Sequence, residues 1–198
     1  MIENPLSCNI SPLITFVPST GNPWDSQKVR HLHNRLGFGI NASSIANALS
    51  QSPSDYVDAL INNAMALPPT AEPAWAPLDP ADYAANGFTY SEEENEALIE
   101  ETQFTFSKEL IDNGIRGRMM LFWHNHFVTI THDYGFAGYA FRYFQALQRN
   151  TFGNFKTFVH EMGLDNAMLK FLNGFESTNV SPNENYAREL YELFTLGE

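Results

Sequence analysis

Helix start and stop signals recur along this chain, and their spacing constrains the fold more than any other feature. Ser52-Pro-Ser-Asp55 places a capping serine, a proline at the first helical position and an acid at the third. Ser91-Glu-Glu-Glu94 repeats the pattern, with three acids at the positive end of the helix dipole. Asp25 and Asn41 are further caps, and Asp165 caps a short piece through Leu172 that ends near Asn173-Gly174. Gly37, Gly114 and Gly163 stand where periodic runs stop, Gly37 in the left-handed position. Between these marks apolar residues fall at helical spacing, as in Val29, Leu32 and Leu36, or Tyr56, Val57, Leu60, Ile61 and Ala64. No internal repeat and no sustained alternation interrupts them. The spacing therefore predicts an all-α fold, a single multi-helix domain of roughly eight helices.

Two stretches fall outside this rhythm. Residues 1–24, broken by Pro5, Pro12, Pro18, Gly21 and Pro23, read as an extended arm lying on a helical domain of residues 25–198. Residues 67–80 carry too many prolines for regular structure and read as a surface loop, pinned to the domain by Trp75 and Leu78. The helix expected from about Ile115 to Thr129 is apolar nearly all round, which predicts that it is the central, buried one. Helices over 135–149 and 152–162 follow. The last is expected to begin at Ser181, with Pro182 at its first position and Glu184 at its third.

With 198 residues, 43% of them hydrophobic, the chain is long enough to bury one substantial core. Its 23 acidic and 11 basic residues give a net charge of -12, and Arg116 with Arg118, or Lys28, Arg30 and Arg35, make no run that would override that field. Nucleic acid is excluded as a partner on this ground. Cys8 is the only cysteine, so there is no internal disulfide and no cysteine-based zinc site. No segment approaches the roughly 18 uninterrupted apolar residues of a membrane span, and no basic and apolar leader opens the chain. The cytoplasm is thus the default compartment. Oligomeric state leaves no mark in the sequence.

Ionisable, amide and aromatic side chains are densest in Phe122-Trp-His-Asn-His-Phe127 and in the stretch from Ser181 to Gly197. On an α-helix, positions i and i+2 point about 200° apart, so His124 and His126 share an ion only if the helix ends or bulges there. His160-Glu161 lacks the second histidine of a zinc-protease helix, since Leu164 takes its place. In the last helix, Tyr186, Leu190, Leu193 and Phe194 form the expected buried stripe, and Glu184, Arg188 and Glu192 an exposed ladder of alternating charge. Asn185 and Glu189 lie on another flank, at the margin of the stripe. A carboxylate there needs a partner, for which Arg188, His124, His126 and an arginine of the first helix are the candidates. Two readings follow. In one, Glu189, His126, His124 and Asn185, with Arg188 as charge partner and Asp133 nearby, form an acid/base site, or a site at which His124, His126 and Glu189 hold a divalent metal. In the other, the same residues form a structural polar network inside a non-catalytic helical scaffold or binding module.

Three segments also resemble a known family. His31-Leu-His-Asn-Arg-Leu-Gly-Phe-Gly39, Phe122-Trp-His-Asn-His-Phe127 and Pro182-Asn-Glu-Asn-Tyr-Ala-Arg-Glu-Leu-Tyr-Glu-Leu-Phe-Thr-Leu-Gly197 are similar, in order and spacing, to the motifs of the large bacterial family called domain of unknown function 1800. Gly153-Asn-Phe155 and Ala167-Met-Leu169 fit the same pattern, while His33 stands where that pattern has leucine. The resemblance implies no particular activity. It implies longer members, many with an export signal, so export of a longer protein is the alternative to the cytoplasm. It further implies that this chain is the N-terminal part of such a protein, with a downstream region or another protein covering the last helix.

Overall fold

A computed structural model describes residues 14–197 of the chain. Cys8 and the first half of the expected arm lie outside that range. The described residues form ten α-helices, against the roughly eight expected, and no named strand, so the all-α class is the one the punctuation predicts. The caps act where expected: side chains of Asp25, Asn41, Ser52, Ser91 and Asp165 accept from backbone N–H groups of α1 (Ser26–Leu36), α2 (Ala42–Leu49), α3 (Pro53–Ala66), α4 (Glu92–Asp112) and α9 (Asn166–Phe171). Each satisfies donors that a helix start leaves without intrahelical partners.

The centre of the bundle is α7 (Ala137–Asn150), not the helix expected there. Nine residues of α7 are buried, against three of α5 (Gly114–His126), and Phe122 on α5 is 54% exposed. Ala137, Ala140 and Ala146 keep the surface of α7 low, so that α4, α5, α8 (Phe155–Leu164) and α9 all pack on it. Phe141, Tyr143 and Leu147 fill the space between them. Two clusters meet on this helix: one with Phe127, Phe158, Met162, Met168 and Phe194, the other with Trp75, Tyr83, Phe106 and Met120. A third, of Val29, Ile45, Ala48 and Tyr56, holds α1 to α3 together, and Trp24 closes it by donating its indole N–H to the Ala48 carbonyl at 3.1 Å.

The proline-rich loop is pinned, and by more than its apolar residues. Arg116, buried on α5, donates to the carbonyls of Leu67 and Pro68 at 3.0 and 2.8 Å and pairs with Glu109 of α4 at 2.5 Å. Asn113 occupies the other carboxylate oxygen of Glu109. Thr70 and Gln148 exchange two further hydrogen bonds of 2.8 and 2.9 Å. Trp75 is buried at the second core cluster, as read from the sequence. Gly114 turns α4 into α5 through left-handed backbone (φ 50°), and at Gly117 the two helices touch so closely that a Cβ would lie 2.1 Å from the Leu110 carbonyl oxygen.

Three boundary expectations are corrected. Gly37 ends α1 in extended backbone, and the positive φ falls at Gly39. Gly163 lies inside α8, where the Tyr186 ring packs on its bare Cα. The last helix starts at Asn185, because Ser181 is held in a turn: its N–H donates to Thr178 Oγ1 at 2.9 Å and its carbonyl accepts from Thr178 N–H at 3.1 Å. This helix, α10 (Asn185–Glu189), then continues as a π-helix over Leu190–Thr195. The wider π turn shifts the phase of the apolar stripe. Phe194 remains buried at 3% exposure, while Leu193, expected beside it in the core, is 60% exposed.

Candidate functional site

The end of α5 meets both α7 and the last helix, and its two histidines divide that work. His124 Nδ1 lies 2.8 Å from the Tyr143 hydroxyl, which donates to the Phe127 carbonyl at 2.7 Å. With the phenol proton given to that carbonyl, His124 acts as the donor, and its neutral form carries hydrogen on Nδ1. Burial lowers the pKa of His124 below its ordinary value, which keeps the imidazole neutral near pH 7. His126 points elsewhere, as the 200° separation requires. Its Nε2 donates to the Phe194 carbonyl at 2.9 Å, and its ring lies among Phe122, Trp123, Phe155 and Phe194. The carbonyls of the last helical turn lack intrahelical donors, so the imidazole N–H satisfies one of them.

On α10 the polar residues turn toward one another. Arg188 donates to Asn185 Oδ1 at 3.0 Å and lies 3.7 Å from Glu189 Oε1. Glu184 and Glu192 form no ion pair with Arg188, so the expected ladder is replaced by this local cluster. Glu189 is largely buried but forms no hydrogen bond or ion pair with either histidine. Asp133 lies 3.7 Å from the Nδ1 of exposed His132. Among the described residues, no group of three or more His, Cys, Asp or Glu side chains is placed to hold a metal ion. The structure thus brings His126 to the last helix through a backbone carbonyl, and does not bring His124, His126 and Glu189 together.

Several residues that organise this region gave no functional signal in the sequence. Tyr143 lies in an aromatic stretch in which nothing distinguishes a phenol that relays a hydrogen bond from one that fills space. Tyr186 belongs to the apolar stripe of the sequence, yet its hydroxyl also donates to the Val159 carbonyl at 3.0 Å and so ties α10 to α8. Trp123 similarly donates to the Thr151 carbonyl at 3.1 Å, fastening α5 to the end of α7.

Fold and site together define an all-α bundle whose central helix is gripped from one end by a histidine- and aromatic-rich segment, which also holds the last helix. The chain belongs to the family described as protein of unknown function (DUF1800), which it matches over residues 31–198. That match includes all three motif segments. Neither the curated proteins nor the solved structures gave a match. No described helix is long and apolar enough to cross a membrane.

Proposed function

We propose that this protein is a non-catalytic helical binding module, in which the polar residues of the two motif segments fix how the last helix lies on the bundle. The observation that carries the reading is the engagement of both histidines by other helices, His124 by Tyr143 and His126 by the Phe194 carbonyl. A buried polar network whose members are satisfied specifies one packing over its alternatives. The exposed rings of Phe122 and Phe155 flank His126 and supply apolar surface for a partner. On this reading His126→Ala frees a buried carbonyl and lowers the melting temperature by about 2–8 °C, from a loss of about 1–2 kcal/mol at 2–4 °C each. Divalent cations and chelators leave the melting temperature of the wild type unchanged. A rise with Zn²⁺ or Mn²⁺ that His126→Ala abolishes would refute the module and support the metal-site reading.

One observation favours an acid/base enzyme as the second reading. Tyr143 orients His124, whose Nε2 has no hydrogen-bond partner among the described residues, as a positioned general base requires. A hydrolase of this kind loses turnover on a panel of ester, amide and phosphoester substrates in His124→Gln while melting changes little. Absence of turnover in the wild type across that panel removes the support for it.

A further inference from the structure

A second polar region lies apart from both motif segments. Arg142 and Arg149 stand two turns apart on α7, and with His160 and Glu161 of α8 and Asp165 and Asn166 of the α8–α9 junction they line a cleft of about 400 Å³. Unengaged donors outnumber unengaged carboxylate oxygens there. Both oxygens of Glu161 are engaged, one by Arg149 and the other by Asn150 at 2.5 Å, while Asp165 Oδ1 accepts from the N–H groups of Ala167 and Met168 at 3.0 and 3.2 Å and Asp165 Oδ2 accepts no hydrogen bond among the described residues. The donors are only partly engaged. Arg142 uses Nε on the Gly138 carbonyl and Nη2 on Asp79, each at 3.2 Å, which leaves Nη1. Arg149 uses Nη1 and Nη2 and leaves Nε. The His160 imidazole, the Asn166 amide and the hydroxyl of Thr157, which also lines the cleft, have no hydrogen-bond partner among the described residues, and His160 and Thr157 are exposed.

A concave space edged by unengaged guanidinium, imidazole, amide and hydroxyl donors is complementary to an acceptor-rich group. Guanidinium donors match the geometry of phosphate and carboxylate oxygens. We propose that this cleft binds a small organic molecule through a phosphate or carboxylate group, with Arg142, Arg149, His160 and Asn166 as its donors. The volume is in the range of small-molecule pockets, which leaves room for an organic body beside the oxyanion. The net charge of -12 opposes anions at long range, so recognition depends on these short-range donors and is weak for an inorganic anion. Burial pushes the Asp165 carboxyl up to about 6, which limits the negative charge facing such a ligand in mildly acidic solution.

The test is a nuclear magnetic resonance titration of the full chain with inorganic phosphate, and separately with acetate, each against sodium chloride at matched ionic strength. Saturable shifts confined to residues 142–149 and 157–166 are expected, with dissociation constants on the order of millimolar. Tighter phosphate binding assigns the site to phosphorylated ligands, and tighter acetate binding to carboxylates. His160→Ala and Asn166→Ala remove side chains with no protein partner, so both variants fold, and each weakens binding several-fold; Arg149→Gln weakens it about tenfold or more. Shifts that do not saturate, that are matched by chloride, or that survive all three substitutions would overturn the proposal. The histidine network of α5 takes no part in any of these outcomes.

Discussion

Asp165→Asn should stabilise this protein, although it removes a helix cap's charge and an attraction to Arg142. Asp165 sits at the junction of α8 and α9, and burial raises its carboxyl from 3.8 to about 6, against the opposing pull of two backbone N–H groups and the Arg142 guanidinium. A carboxyl whose folded pKa is raised favours the fold fully only below its unfolded pKa, and this contribution is lost as pH rises through the folded value. Moving the carboxyl from 3.8 to about 6 makes ionised Asp165 cost about 3 kcal/mol above pH 6 relative to the protonated form. Asparagine caps helices as well as aspartate does, and its Oδ1 still accepts from Ala167 and Met168. Urea denaturation of both proteins at pH steps from about 4 to 8 isolates this one group, because every other titration is shared. The stability advantage of Asp165→Asn should be small near pH 4 and grow to about 2–3 kcal/mol by pH 7, most of it between pH 4 and 6. An advantage that does not change with pH, or a wild type that gains on the variant as pH rises, would refute the reasoning.

Other expectations rest on single contacts. Gly117→Ala adds a Cβ at 2.1 Å from the Leu110 carbonyl oxygen, so α4 and α5 must separate; despite alanine's roughly 1 kcal/mol advantage in a helix, a net loss of about 2 kcal/mol should appear as a lower melting temperature. Arg116→Met leaves Glu109 buried without its cation and should cost about 3–5 kcal/mol, much of it recovered in Arg116→Met with Glu109→Leu, as denaturant titrations of the two variants would reveal. The Tyr83 hydroxyl is buried without a hydrogen-bond partner, so Tyr83→Phe should be neutral or raise stability by about 1 kcal/mol in the same measurement; a loss beyond that would point to an ordered water holding the phenol. His124 should titrate below 6.5 in heteronuclear spectra and be neutral at pH 7 with hydrogen on Nδ1, and a midpoint above 6.5 would contradict its burial.

What the sequence determined by itself is local. Asp25, Asn41, Ser52, Ser91 and Asp165 cap helices because a side-chain oxygen two or three residues ahead of an orphan N–H needs nothing distant to act. The divergence of His124 and His126 follows equally from helix geometry, since residues two apart face opposite ways whatever surrounds them. Tertiary structure decided which helix became the centre: the α5 region reads as apolar nearly all round, but α7 has alanines where neighbours must approach, and closeness of approach depends on both partners. It also decided that Ser181 joins a turn with Thr178, that Gly163 sits inside a helix under a tyrosine, and that a π turn moves Leu193 out of the stripe read from a 3.6-residue period. The partners of Glu189 and the histidines belong to this second class. A polar side chain at the edge of an apolar face signals that a partner is needed, while the identity of that partner depends on how segments dozens of residues apart come to lie against each other.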